Sequence, residues 1–115
     1  MVTSHPEYDD GVLRITRTAE PPGLAIAGEI DESTYPALLD ALRGLPGTPS
    51  EVHLDLAGVS YCDLAGLRAI VRLASPRGGH PGRPVTLHEV PQQLRGVLEI
   101  IGWDAIPGLN VAEPG

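Results

Sequence analysis

The stretch VHLDLAGVSYCDLAGLRAIVRLA, Val52 to Ala74, changes its hydrophobic period halfway along. Val52, Leu54 and Leu56 alternate with His53 and Asp55, the two-residue repeat of a strand with one buried face. Further on, Leu67, Ile70, Val71 and Ala74 follow the spacing of one helical face, with Arg68, Arg72 and Ser75 on the outer side. Between the two lies VSYCDLAGL, Val59 to Leu67, where a strand gives way to a helix. Asp63 stands just ahead of that helix. A carboxylate there accepts hydrogen bonds from unpaired backbone N–H groups and complements the helix dipole.

Upstream, VLRIT (Val12–Thr16) and LAIAGEI (Leu24–Ile30) alternate in the same way, with the breaker AEPPG between them, and read as a hairpin. DESTYPALLDALRGLPG is helical. Tyr35, Leu38, Leu39 and Leu42 form its stripe, Asp31 or Ser33 can cap its start, and Gly44 and Pro46 stop it. Downstream, PRGGHPGRP is a loop and VTLHEV a strand with Val85 and Leu87 inward. PQQLRGVLEIIGW is a third helix striped by Leu94, Val97, Leu98 and Ile101 and ended by Gly102. GLNVA can add a short closing strand. Strands alternating with helices predict an α/β fold with a mixed, largely parallel sheet of four to five strands. Each strand is apolar mainly on one face, which places three or more helices mainly on one side.

The 115 residues are enough for one domain with a single core. With no Phe and few other aromatics, that core is predicted to be aliphatic. One cysteine excludes an internal disulfide. MVTSHPEYDDG lacks an apolar signal segment and no apolar run approaches a bilayer span, so the cytoplasm is the expected compartment and no membrane partner is expected. The net charge is −7 without a single lysine, all of it in the first half. An acidic half repels phosphate backbones, which argues against nucleic acid, and could instead steer a basic protein partner.

Several side chains invite a chemical reading. Cys62 at the start of a helix could be a reactive thiol, but Asp63 opposes thiolate formation, so it reads as a small buried hydrophobe. His53, Asp55 and His88 share the predicted open sheet face with Thr86, Arg14 and Glu29 and read as an ordinary polar face; no metal and no cofactor are expected. RGGHPGR lacks the lysine and following helix of a phosphate loop. Arg68 and Arg72 are the clustered cations beside the Asp63 turn.

GEID (Gly28–Asp31), the Val52–Ala74 stretch and QQLRGVLEIIGWDAIPGL, in this order, resemble the STAS domain, the fold of bacterial anti-sigma-factor antagonists and of the tails of sulfate transporters. The resemblance covers residues 11–112 and leaves 1–10 as a flexible tail. It implies a non-enzymatic regulatory module that binds an anti-sigma factor or a serine kinase of the anti-sigma type. In that family the kinase phosphorylates a Ser or Thr in a D-S-S-G-L-like turn, and the added charge separates the complex. Here the turn reads D-L-A-G-L, with Leu64 and Ala65 at the hydroxyl positions, so the phosphorylation site is degenerate. The resemblance places the partner surface on Asp31, Ser60, Tyr61, Asp63, Leu64, Ala65, Gly66, Arg68 and Arg72. A ligand-sensing or scaffolding STAS module without a phosphorylation switch is the alternative, and an enzyme using Cys62 ranks below both.

Overall fold

The structure is a computed structural model that describes residues 6–19, 22–45, 51–75 and 82–112. Six strands form one sheet in sequence order: β1 (Pro6–Asp9), β2 (Leu13–Ala19), β3 (Pro22–Ile30), β4 (Val52–Cys62), β5 (Val85–His88) and β6 (Leu109–Val111). The first three are antiparallel neighbours, and β3 to β6 run parallel. Helices α1 (Tyr35–Arg43), α2 (Leu64–Val71) and α3 (Gln92–Ile101) make the three crossovers. Crossovers of one hand that step the same way along a sheet place their helices on the same face.

Register shows why that face is the core. Ile15 pairs with Ile26, Leu24 with Leu54, Leu54 with Leu87, and Val85 with Leu109. All are buried, and Leu38, Leu42, Leu67, Ile70, Val71, Leu94 and Leu98 of the helices join them in one cluster. Among the described residues the buried hydrophobic set is Leu, Ile, Val and Ala alone, the predicted aliphatic core. The mixed sheet with helices on one side is the fold that the alternation implied.

Several details differ from expectation. The sheet has six strands rather than four or five, because residues 6–9, assigned to a tail, pair with β2 as β1. Helix α2 tightens into a 3-10 turn over Arg72–Ala74 yet keeps Ala74 buried. The stripe of α3 ends at Leu98: Ile101, expected inward, is 42% exposed. Pro91 lies one place outside α3, as its N-cap. As expected, Gly102 ends α3, in the left-handed conformation, φ 86°. Of the expected loop PRGGHPGRP, residues 76–81 lie outside the described residues, as do Pro46 and residues 20–21 of the breaker.

Strand β4 is longer than its alternation suggests. Its pairing with β3 shifts by one residue between Asp55 and Gly58 and again at Ser60. Each shift is a bulge, which moves the inward phase from Leu56 to Val59 and then to Cys62. The Asp55 carboxylate accepts from the Ala57 N–H at the first bulge, 2.9 Å, occupying a donor that the bulge takes out of the regular ladder.

Leu54 sits at the centre of the core with 0% exposure. We expect Leu54→Ala to cost about 2–5 kcal/mol in urea unfolding, through lost burial and the cavity left behind.

Candidate functional site: the Asp63 corner

The end of β4 and the start of α2 are tied to the end of β3. Cys62 pairs with Ile30, and the Asp63 N–H donates to the Ile30 carbonyl at 3.0 Å. Asp63 has extended backbone angles, and its carboxylate accepts from the Gly66 N–H at 2.8 Å, the N-cap read from the sequence. Gly66, expected at the partner surface, is buried. A Cβ there would lie 2.3 Å from Ile30 Cγ2, so glycine is what lets the first turn of α2 rest on β3.

The Asp31 loop lies beside this corner because β3 and β4 are parallel neighbours. The Asp31 carboxylate accepts from the Ser33 N–H and hydroxyl, at 2.9 and 2.7 Å, and from the Thr34 N–H at 3.2 Å. The Ser33 hydroxyl foremost, with these N–H groups, holds the Asp31 carboxyl below its ordinary value. Thr34, which sequence reading missed, is 2% exposed: its hydroxyl donates to the Glu29 carbonyl and accepts from the Asp31 N–H, both at 2.9 Å.

What the corner offers is apolar. Leu64 is 48% exposed and Tyr61 53% exposed, and Ala65 is exposed beside them. Ser60 is exposed and its hydroxyl donates to the Gly28 carbonyl at 3.2 Å. Arg68 and Arg72 are exposed farther along the helix. Asp31, Ser60, Tyr61, Asp63, Leu64 and Ala65 are thus brought together, whereas Arg68 and Arg72 sit about one and two turns away.

Burial, with a smaller push from the Asp63 charge, raises the Cys62 thiol to about 12. That is the opposite of what a nucleophile needs. On the open face, His53 Nδ1 and His88 Nε2 lie 2.7 Å apart and His53 Nε2 lies 3.3 Å from a Glu51 oxygen. The other Glu51 oxygen accepts from the buried Thr86 hydroxyl at 2.8 Å. These imidazoles bond to each other rather than converging on a common point. Asp55 is turned to its own bulge, and among the described residues no three His, Cys, Asp or Glu side chains are grouped to hold a metal ion. A groove of about 530 Å³ lies between α1 and the β1–β3 side of the sheet, lined by Tyr8, Leu24, Ala37 and Ala41 with Arg17 and Asp40.

Asp63→Ala should destabilise the chain by about 1 kcal/mol in urea unfolding, the usual cost of a lost N-cap. Gly66→Ala should cost more, about 1–3 kcal/mol, because the core side chain of Ile30 must move. A chromogenic disulfide at pH 8 should modify Cys62 in the folded chain far more slowly than in urea; equal rates would contradict the buried, neutral thiol.

The comparisons with known proteins agree with this architecture. The family model described as "Mlab, STAS domain" matches residues 13–110. The crystal structure of an anti-sigma factor antagonist from Mycobacterium paratuberculosis is similar in fold, with a TM-score of 0.60 and 24% sequence identity. The match covers 94% of this chain and 84% of that one. A search of the curated proteins found no match. Among the described residues no helix is long and apolar enough to cross a membrane. With its parallel crossovers, its capped corner and a family match over most of its length, the chain belongs to the STAS domain family.

Proposed function

We propose that this chain is a non-enzymatic binding module that docks on an anti-sigma factor, or on a serine kinase of the anti-sigma type, through the Asp63 corner. The observation that carries the proposal is Leu64, half exposed at the tip of a helix whose start is pinned by hydrogen bonds. Rigid presentation lowers the ordering cost that a flexible loop would add to binding. Support for the kind of partner comes from the fold likeness to an anti-sigma factor antagonist. Asp31, Ser60, Tyr61 and Ala65 surround Leu64, and Arg68 and Arg72 extend the surface along α2.

Regulation differs from the family's usual scheme in this reading. Neither Leu64 nor Ala65 has an oxygen to accept phosphate. The hydroxyls of Ser60 and Tyr61 belong to β4, ahead of the cap, and Ser60 is bonded to the Gly28 carbonyl. Binding is therefore constitutive or set by the amount of partner, and the module acts in the cytoplasm. A second reading, a ligand-sensing STAS module, draws on the groove beside α1. Ligand-dependent thermal shifts lost on filling the groove by Ala41→Trp, with the corner intact, would favour it.

The test is co-purification with a panel of anti-sigma factors and kinases, with labelled ATP present. Leu64→Arg should weaken binding by at least about tenfold, as expected for a central apolar contact. No label should enter residues 60–67. Transfer of phosphate there would defeat the constitutive part of the proposal, and full binding by Leu64→Arg would defeat the docking part.

A further inference from the structure

Exposed apolar side chains extend beyond the helix tip. The Glu29 N–H donates to the Val12 carbonyl at 2.9 Å, and Glu29 pairs with Tyr61 on its other side. Val12, Glu29 and Tyr61 thus form one row across three adjacent segments, with Leu64 three residues past Tyr61. Their neighbours in the chain, Leu13, Ile30 and Cys62, turn toward the core. The row faces the other way, and Val12 is 45% exposed. Val12 and Tyr61 flank Glu29 in an exposed strip, and Leu64, the first residue of α2, stands at the same end of the sheet.

Carboxylates surround that strip. The turn before β2 brings Asp9 and Asp10 to this end of the sheet, β3 and its loop bring Glu29, Asp31 and Glu32, and β4 brings Asp63. Asp9 holds Arg14 at 3.2 Å. Asp10 accepts from the Val12 and Leu13 N–H groups, both at 2.8 Å. Asp31 and Asp63 are likewise bound to their own turns. These charges are fixed in space, that of Asp9 offset by Arg14, while Glu29 is exposed in the middle of the row and Glu32 on the loop after β3. Hydrogen bonds from the Gly11 N–H to Asp9, from the Tyr8 hydroxyl to Asp10 and from the Ser33 hydroxyl to Asp31 hold all three carboxyls below their ordinary values. The field therefore persists well below neutral pH.

Resting on the docking reading above, we propose that the partner is a protein surface in which apolar side chains stand among lysines or arginines, seated on Val12, Tyr61 and Leu64 and steered by Glu29 between the first two and by Glu32 on the rim. The turn between β1 and β2 is then part of the interface. Complementary charge acts mainly on the rate of encounter, and salt screens it. An acidic membrane or a nucleic acid would be repelled by the same carboxylates.

The experiment measures association and dissociation rates against the anti-sigma factor or kinase retained in the co-purification, at about 50 and 300 mM salt. The double variant Glu29→Lys/Glu32→Lys should associate at least about tenfold more slowly at low salt and lose most of its salt dependence. Glu99→Lys, on the last turn of α3, reverses one charge away from the strip and should change neither. Val12→Ser should speed dissociation without moving the melting temperature. If the double variant melts early, Glu32→Lys alone serves, with a smaller effect of the same sign. Binding that is lost in Leu64→Arg, but insensitive to salt and to the reversals, overturns the basic-partner proposal and leaves the docking reading standing. Binding unaffected by Leu64→Arg, or absent from the whole panel, overturns both.

Discussion

The hydrogen bond from the Asp63 N–H to the Ile30 carbonyl does more than close a ladder. It fixes the last residue of the central parallel pair to its neighbour at the point where β4 must become α2. The cap from Asp63 to the Gly66 N–H then sets the direction of the helix, and the missing side chain at Gly66 sets its distance from the sheet. A shift at any one of the three would move Leu64, the first residue of that helix. The position of this corner is thus a product of backbone geometry, with the chemistry of its exposed side chains added afterwards.

The periodic parts of the chain were legible and the aperiodic parts were not. Val52, Leu54 and Leu56 announced a strand, and Leu67, Ile70 and Val71 a helix, because burial on one face leaves a repeat of two or 3.6 residues. The bulges in β4 broke that repeat beyond Leu56, since each inserts a residue that changes the inward phase. Strand β1 stayed hidden because its side chains leave no alternation longer than a couple of residues. In the site, Asp63 was readable from local chemistry; Asp31, read with Ser33 as a possible cap of α1, instead holds the turn ahead of the N-cap Thr34, which makes no side-chain cap bond. Thr34 was not readable, because its role depends on the Glu29 carbonyl, an acceptor positioned by the strand before it. The exposure of Ile101 was equally invisible, since a stripe on a helix does not reveal where its cover ends.

Proton linkage points in opposite directions at the two ends of the pH scale. Asp9, Asp10 and Asp31 have carboxyls held below the ordinary 3.8. Their contribution to stability is present above that value and is lost as pH falls through the lowered ones. Cys62 is raised from 9.0 to about 12. Its contribution is complete below 9.0 and is lost as pH rises between those two values. Neutral pH lies between the two losses. The His88–His53–Glu51–Thr86 chain of contacts belongs to a different place, the helix-free face near the foot of β4, where it joins β4 to β5 side by side.

The borders of the sheet carry their own consequence. One is β1, four residues long, with Pro6 and a register irregularity; the other is β6, three residues long. Brief, interrupted borders offer few free amide and carbonyl groups in line, so lateral growth into ribbons or fibrils is disfavoured. A protein that leaves greasy residues in solvent needs such a safeguard. Here the apolar side chains left in solvent sit at one end of the sheet and at the end of α3, while the sheet's flanks discourage company.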